Sequence, residues 1–301
     1  MDWVWAALGS AIGFAAVTVL DKIILQRHVA SASTFIVFAG FMQLPGALVS
    51  LAVVAFPGYS TAIWVMAVAS GAAFGLAVVL MFSILRRQDV SLVTAIFQTS
   101  PVFVAIFAVV FLSEHLSAWH WVAIMVTVAG AVLNSLRRSR VGGRPVLGIW
   151  FFFLLGSSAL YAAGLVLSKA VLDDGMSLWN LHAVRSLSTA FVMIFISVRR
   201  HTASELRMLM RNTNGLSLFV FTEAGLAFAA MYLTTLALTL GPVALVTTVI
   251  ASRPMFVFLF GILLSLGLLK VLSEPLDRAS LIQRGLAIGM IVAGVSAITL
   301  L

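Results

Sequence analysis

The sequence predicts an all-α, polytopic membrane protein with ten transmembrane helices in two inverted five-helix repeats. Three observations predict it: the composition, the spacing of the apolar stretches and a set of landmark residues that recurs in both halves of the chain. Hydrophobic residues make up 62% of the 301 residues and charged residues only 9%, whereas soluble domains carry about 25% charged residues. Because the bilayer interior offers no water to backbone groups, such apolar segments must be helical.

Ten stretches are long enough to cross the hydrocarbon core, which takes ~20 apolar residues in a helix. The stretches are residues 3–25, 34–56, 61–84, 91–112, 118–136, 146–172, 176–198, 214–239, 243–269 and 280–301. The connections between them are short, so the sequence predicts no soluble domain. The chain contains no cysteine, which excludes disulfides and thiolate metal sites.

The positive charges are distributed very unevenly among the loops. Apart from Lys22, Lys169, Arg185 and Arg253, which lie within predicted spans, every Lys and Arg lies in or beside a loop that follows span 1, 3, 5, 7 or 9. We call the membrane face that carries those loops the odd-loop face, and the opposite one the even-loop face. Basic loop residues are kept on the cytoplasmic side, so we expect a cytoplasmic odd-loop face and both termini outside. The same distribution accounts for the net charge of +8 without a nucleic-acid partner.

The two halves of the chain, residues 1–142 and 143–301, repeat the same landmarks in the same order. Each half has five spans, an odd number, so the second half must enter the membrane in the opposite orientation. Inverted repeats of this kind build secondary transporters with a site near the membrane midplane. Segments 11–25 and 158–172 align and match Lys22 with Lys169. Segments 91–103 and 244–256 match Pro101 with Pro254, and segments 112–117 and 272–277 match Glu114 with Glu274. The recurrence of the two glutamates predicts a shared role in capping or fixing a loop.

These features resemble the drug/metabolite transporter superfamily, in its EamA-like branch. The resemblance rests on ten spans in two inverted halves, a proline in the fourth helix of each half, and an L-S-E-x-L motif before the fifth, and it covers the whole chain. It implies transport of a small metabolite. Members of that family carry amino acids, sugar derivatives and other metabolites, so the resemblance does not give the substrate. Many relatives are drawn with both termini inside, whereas the loop charges here predict both outside.

Three charged side chains are predicted at membrane depth, where a charge costs ~3 kcal/mol on insertion scales and faces a cavity or a partner. They are Arg185 in span 7, Glu223 in span 8 and Arg253 in span 9. Arg253 precedes Pro254, which disrupts the helix, so its guanidinium can present a fork of donors to a carboxylate or phosphate. The alternative is a buried ion pair with Glu223. Glu223, the only acid clearly inside a span, is expected to bind a cation, to carry a coupling proton or to neutralise Arg253.

Several uncharged or terminal side chains complete the candidate site. Tyr161 in span 6 and Gln98 in span 4 lie near mid-depth, where each either packs locally or lines a cavity. Lys22 near the end of span 1 either contacts the substrate or extends its amine to the interface. Arg185 shares a helix face with His182, Ser186 and Thr189, which indicates either a cavity lining or interhelical hydrogen bonds. The predicted substrate-binding residues are Arg253, Arg185, Glu223, Tyr161, Gln98 and Lys22, and no catalytic residue, metal site or cofactor is expected.

The leading function is a secondary carrier that moves a small polar metabolite, amino-acid-like or anionic, by alternating access. The anionic preference follows because the intramembrane cations outnumber Glu223. A lipid or lipid-linked metabolite flippase of the same fold is the closest alternative. The histidines are scattered along the chain, which disfavours an enzyme. The charged positions differ between the halves, which disfavours a channel. The sequence lacks a Gly-x-x-x-x-Gly-Lys-Ser/Thr motif, which disfavours an ATP-driven pump. One chain is sufficient for this design, and a bacterial inner membrane is the expected location.

Small residues at four-residue spacing predict close helix packing at three places. The pairs are Gly9 with Gly13, Gly71 with Gly75 and Gly285 with Gly289.

Overall fold

The computed structural model describes residues 2–29, 31–55, 57–85, 90–135, 149–266 and 278–300. All regular structure within these ranges is helical, which confirms the predicted fold class. Ten helical segments are long and apolar enough to span a membrane: Asp2–Arg27, Ala32–Val53, Thr61–Ile84, Val93–Phe111, Ala118–Ser135, Ile149–Asp173, Leu178–Ser197, Thr213–Leu240, Val243–Gly261 and Ile282–Thr299. They are spans 1 to 10. The expected boundary between the halves lies outside the described residues, and the inverted relation of the halves stays a prediction.

Seven spans are single helices, whereas spans 4, 8 and 9 are built from shorter pieces. The single helices are Asp2–Arg27, Ala32–Val53, Thr61–Leu85, Ala118–Ser135, Ile149–Asp173, Leu178–Ser197 and Arg278–Leu300. Span 4 consists of Val90–Phe97 and Ser100–Phe111, span 9 of Val243–Ile250 and Arg253–Leu266. Span 8 consists of Thr213–Phe219, a π-helical turn at Val220–Leu226, and Ala227–Leu240, and a short helix, Thr202–Arg211, connects spans 7 and 8.

The breaks in spans 4 and 9 fall at equivalent positions of the sequence repeat. The interruption at residues 98–99 corresponds to the one at residues 251–252 in the alignment of the two halves. Pro101 and Pro254 lie in the first turn of the half-helix that follows each break, where a proline costs little because the first N–H groups have no helical partner. The prolines therefore mark the start of a new half-helix in each half of the chain.

The two halves pack against each other in a symmetrical pattern. Span 1 packs on span 8, and span 3 on span 6, which are equivalent pairs if the halves exchange places. Span 2 packs on span 7, and span 5 packs on span 10. Each of these two pairs joins equivalent spans of the two halves, so exchanging the halves leaves the pair unchanged. The interface between the halves therefore runs through the middle of the bundle, where spans 1, 3, 6 and 8 meet.

Large apolar side chains cover the outer surface of the bundle, as contact with lipid requires. Phe195 is 75% exposed and Phe111 is 72% exposed. Alanine, serine and threonine are frequent among the buried residues, and small residues of this kind let membrane helices approach closely.

The glycine pairs agree with the prediction of close packing at two places out of three. A Cβ atom at Gly71 would clash with the carbonyl oxygen of Arg185 and lie 2.9 Å from its Cα, and one at Gly13 would lie 2.9 Å from the Cβ of Ala230. At Gly285 and Gly289 no atom of the described residues lies within 4 Å of such a Cβ. The prediction is wrong for that pair, because this face of span 10 packs on no other described helix.

The contact between Gly71 and span 7 sets the position of Arg185. We expect Gly71→Ala to lower the free energy of unfolding by about 1–3 kcal/mol, because the added methyl group must displace span 7. Gly289→Ala is the matched control, since its methyl group meets open space and alanine favours a helix. Thermal unfolding of both variants in detergent measures the difference. Equal melting temperatures would show that spans 3 and 7 do not touch here.

Candidate substrate site

Arg185 is a buried cation whose donors are unused. It lies in the first half of span 7, which begins after the capping residue Ser177, and only 2% of its surface is exposed. None of its three guanidinium nitrogens has a hydrogen-bond partner among the described residues. The guanidinium carbon instead lies 5.0 Å from the centre of the Phe74 ring, a cation–π contact. An aromatic face therefore holds the arginine in place while its N–H groups stay available.

The Phe74 ring belongs to an aromatic cluster from three spans. Tyr161 of span 6 packs against Phe74 of span 3 and Phe97 of span 4, with ring centroids 5.6 and 5.2 Å apart. Tyr161 also interacts electrostatically with both Arg185 and Arg253. Phe97 ends the first half-helix of span 4, so that Gln98 lies directly in the break. Spans 3, 4 and 6 thus contribute rings to one cluster, which contacts Arg185 of span 7 through Phe74.

Arg253 begins the second half-helix of span 9 and is anchored to span 1. Its Nε donates a hydrogen bond of 3.0 Å to the hydroxyl of Thr18, and its Nη2 donates to the same oxygen. The guanidinium carbon lies 5.3 Å from the centre of the Phe14 ring, one turn earlier on span 1. The hydrogen bonds of Arg253 in the described structure therefore go to Thr18 and not to Glu223, which interacts with it as a nearby charge.

Two acidic groups lie together next to Arg253. Glu223 is 8% exposed and belongs to the π-helical turn of span 8. Asp21 follows Thr18 by one turn on span 1, and its carboxyl group lies within hydrogen-bonding reach of Glu223. Both carboxyl groups interact electrostatically with Arg253. Spans 1, 8 and 9 therefore form a second polar cluster, which we call the acidic cluster: Asp21, Glu223, Arg253 and Thr18.

The placement of Asp21 corrects the sequence analysis, which took Glu223 as the only acid clearly inside a span. Span 1 ends at Arg27, so Asp21 lies more than a turn inside the membrane helix, next to Glu223. The spacing of Phe14, Thr18 and Asp21 is four and then three residues, which puts all three on one helix face. This spacing was the signal in the sequence that could have revealed a polar face on span 1. In the structure, all three residues on that face interact with Arg253.

The other predicted residues take different positions. Thr189 donates a 2.9 Å hydrogen bond to the carbonyl oxygen of Gly71, which confirms an interhelical role for that member of the span 7 stripe. His182 packs edge-on against Phe228, with ring centroids 5.0 Å apart. Lys22 is partly buried, next to Asp21. The structure brings Arg185, Tyr161, Arg253 and Glu223 into one region, while substrate contacts of Gln98 and Lys22 stay predictions.

Glu114 fixes the start of span 9. Its Oε1 accepts a 2.7 Å hydrogen bond from the N–H of Val243, and its Oε2 accepts one of 3.3 Å from Ala244. These N–H groups have no partner within the helix because they belong to its first turn. The predicted capping role of Glu114 is confirmed, and its repeat partner Glu274 lies outside the described residues.

Residues 1–136 match the family model of the EamA-like transporter family. This part of the chain is similar to that family. The resemblance inferred from the sequence is confirmed, and the match indicates an integral, multi-pass membrane transporter of small molecules. One crystal structure of another protein superposes with a TM-score of 0.71 over 97% of this chain and 96% of that chain, at 18% identity, which shows the fold alone. No curated protein matches the sequence.

The cap formed by Glu114 predicts a pH-dependent stability. Burial raises the pKa of Glu114, and the hydrogen bonds from Val243 and Ala244 and the charge of Lys169 only partly offset that rise. The folded state then binds this proton more tightly than the unfolded state does, so the contribution of Glu114 to the free energy of unfolding falls as pH rises above 4.5, its ordinary value.

Glu114→Gln, which does not titrate, supplies the reference for this effect. Thermal unfolding of the two proteins from acid to neutral pH should show the wild type losing stability relative to the variant as pH rises, and the difference should then level off. A difference that is constant over the whole range would mean that Glu114 titrates alike in both states.

Proposed function

We propose that the protein is a secondary carrier of a small metabolite with an anionic group, and that this group binds Arg185 between the two halves. The observation that carries the proposal is the buried guanidinium without a hydrogen-bond partner among the described residues. A buried cation left in that state is costly, whereas a carboxylate or phosphate would accept two parallel hydrogen bonds from it. Bound substrate would thus complete a site that the protein leaves incomplete.

The surroundings of Arg185 favour a cargo with both an anionic and an apolar or planar part. Phe74, Phe97 and Tyr161 offer aromatic surface beside the guanidinium. The half-helices that start at Ser100 and Arg253 direct the positive ends of their dipoles toward mid-depth, as discontinuous helices do in carriers of anionic substrates. An amino-acid-like zwitterion or an organic anion fits this environment, whereas a purely cationic molecule does not.

Two hydrogen-bonded latches support alternating access, because they close equivalent positions at opposite membrane faces. On the odd-loop face, the hydroxyl of Ser31 donates a 2.6 Å hydrogen bond to Oε2 of Glu205, and Thr34 donates to the same oxygen. Ser31 is the capping residue of span 2, and Glu205 belongs to the connection between spans 7 and 8. This odd-loop latch therefore ties the two halves together at one end.

On the even-loop face, the corresponding latch joins Tyr59 to the start of span 7. The hydroxyl of Tyr59 accepts a 3.1 Å hydrogen bond from the N–H of Ser177 and a 3.0 Å bond from the side chain of Asn180. Ser177 is the capping residue of span 7, as Ser31 is of span 2. In both latches, the connection between the second and third spans of one half binds the helix start of the other. Opening one latch while the other stays closed would expose the site to one face at a time.

The Arg185 proposal is tested by a thermal-shift panel of amino acids, organic acids, phosphates, cations and lipids. A compound that binds the folded state raises the melting temperature, and we expect the positive compounds to carry an anionic group. Arg185→Met should weaken their binding by about 10- to 150-fold, the equivalent of the ~1.5–3 kcal/mol of a hydrogen bond to a charged group. Without ligand the same variant should melt at an equal or higher temperature, because an unpaired buried charge is removed.

Arg199→Met is the matched control, since Arg199 is exposed and donates to the carbonyl oxygens of Ile196 and Val198 near the membrane surface. It should keep the full thermal shift. Undiminished binding by Arg185→Met, or stabilisation by cations alone, would refute the anion site. A large loss of stability in ligand-free Arg185→Met would instead assign the arginine a structural role.

The latches are tested with a single cysteine in a chain that otherwise has none. Ser252→Cys places a thiol at the break of span 9, where Ser252 is buried. In this background, Tyr59→Phe should increase labelling by a membrane-impermeant thiol reagent severalfold from the even-loop face, and Glu205→Ala from the odd-loop face, because each removes one latch. Labelling that rises equally from both faces in either variant, or in neither, would contradict alternating closure.

A further inference from the structure

We propose that Asp21 and Glu223 form a proton-binding site next to Arg253, distinct from the anion site at Arg185. The two carboxyl groups come from different elements, span 1 and the π-helical turn of span 8, and lie within hydrogen-bonding reach of each other. Glu223 is buried, and the buried Oδ1 of Asp21 receives no hydrogen bond from any described residue. This proposal does not depend on the identity of the transported metabolite.

A proton is the ligand that this geometry needs. An ionised carboxylate only accepts hydrogen bonds, so two carboxyl groups can bond to each other only if one of them carries a proton. Two ionised groups at this distance would repel strongly in the low dielectric of the membrane interior. The N–H groups of Arg253 do not remove the need for a proton, because their hydrogen bonds go to Thr18.

Within the acidic cluster, the charges balance when one proton is shared between the two acids, because the pair then carries one negative charge and Arg253 one positive charge. The other titratable neighbours among the described residues are Lys22, adjacent on span 1, and Tyr161, which interacts electrostatically with Arg253. Span 2, which also packs on the π-helical turn, contributes no titratable residue. Loss of the proton would leave the acidic cluster with a net negative charge, for which Lys22 is the neighbouring cation on span 1.

Two features indicate that the proton can be exchanged during function. Glu223 lies in a π-helical turn, and such turns occur frequently at functional sites. Asp21 lies six residues before Arg27, the end of span 1, which is ~9 Å along the helix. The pair is therefore closer to the odd-loop face, whereas Arg185 is nearer the start of span 7 at the even-loop face. Tyr161 lies within electrostatic range of both arginines, which links the two sites.

Infrared spectroscopy of the full-length protein in lipid nanodiscs tests the proposal without any substrate. A protonated carboxyl group shows a C=O stretch that ionised carboxylates lack. At neutral pH we expect the wild type to show such a band, and we expect alkaline titration to abolish it as a single proton is released. Asp21→Asn and Glu223→Gln should each lose the whole band, because the remaining acid then pairs as an ion with Arg253.

Asp173→Asn is the matched control: Asp173 is 52% exposed and forms an ion pair of 2.8 Å with Lys169, so this variant should keep the band. A wild type without the band at neutral pH refutes the proposal, even if a variant fails to fold. A band that survives both substitutions refutes it as well. A melting temperature raised by sodium in a wild type without the band would assign the pair to a metal cation instead of a proton.

Discussion

The cost of placing charge in the bilayer interior determines the organisation of this protein. A charged side chain at that depth costs ~3 kcal/mol or more unless it finds a partner or an aqueous cavity. Arg253 meets this requirement within the protein, through Thr18 and the neighbouring Asp21 and Glu223. Arg185 does not, since its guanidinium nitrogens have no hydrogen-bond partner among the described residues. This difference is why we propose the anion site at Arg185 and not at Arg253.

The architecture places both clusters where the halves of the chain meet. The breaks of spans 4 and 9 occur at equivalent residues, so each half brings a half-helix start to mid-depth. The two latches, at Ser31 and Ser177, hold equivalent helix starts at opposite faces. Because the two halves are similar, each can adopt the conformation of the other. Such an exchange converts a structure that is open to one membrane face into a structure that is open to the other. Such an exchange is how the proposed alternating access would operate.

Much of this could be predicted from the sequence because it depends on local composition and on the repeat. The ten spans, the intramembrane position of Arg185 and the capping role of Glu114 follow from hydropathy, charge and recurrence. The π-helical turn could not be predicted, since nothing in the residues around Glu223 departs from a helical pattern. Asp21 was overlooked because only tertiary packing brings it next to Glu223 and Arg253. The partners of Arg253 depend on tertiary packing.

The central claim is that the Arg185 guanidinium is kept free for an anionic group of the cargo. An experimental structure with the strongest stabilising compound of the thermal-shift panel bound tests this most directly. The account predicts a carboxylate or phosphate oxygen within hydrogen-bonding distance of at least two guanidinium nitrogens of Arg185, next to Phe74 and Tyr161. A compound bound elsewhere, with the Arg185 nitrogens hydrogen-bonded to protein groups, would contradict it.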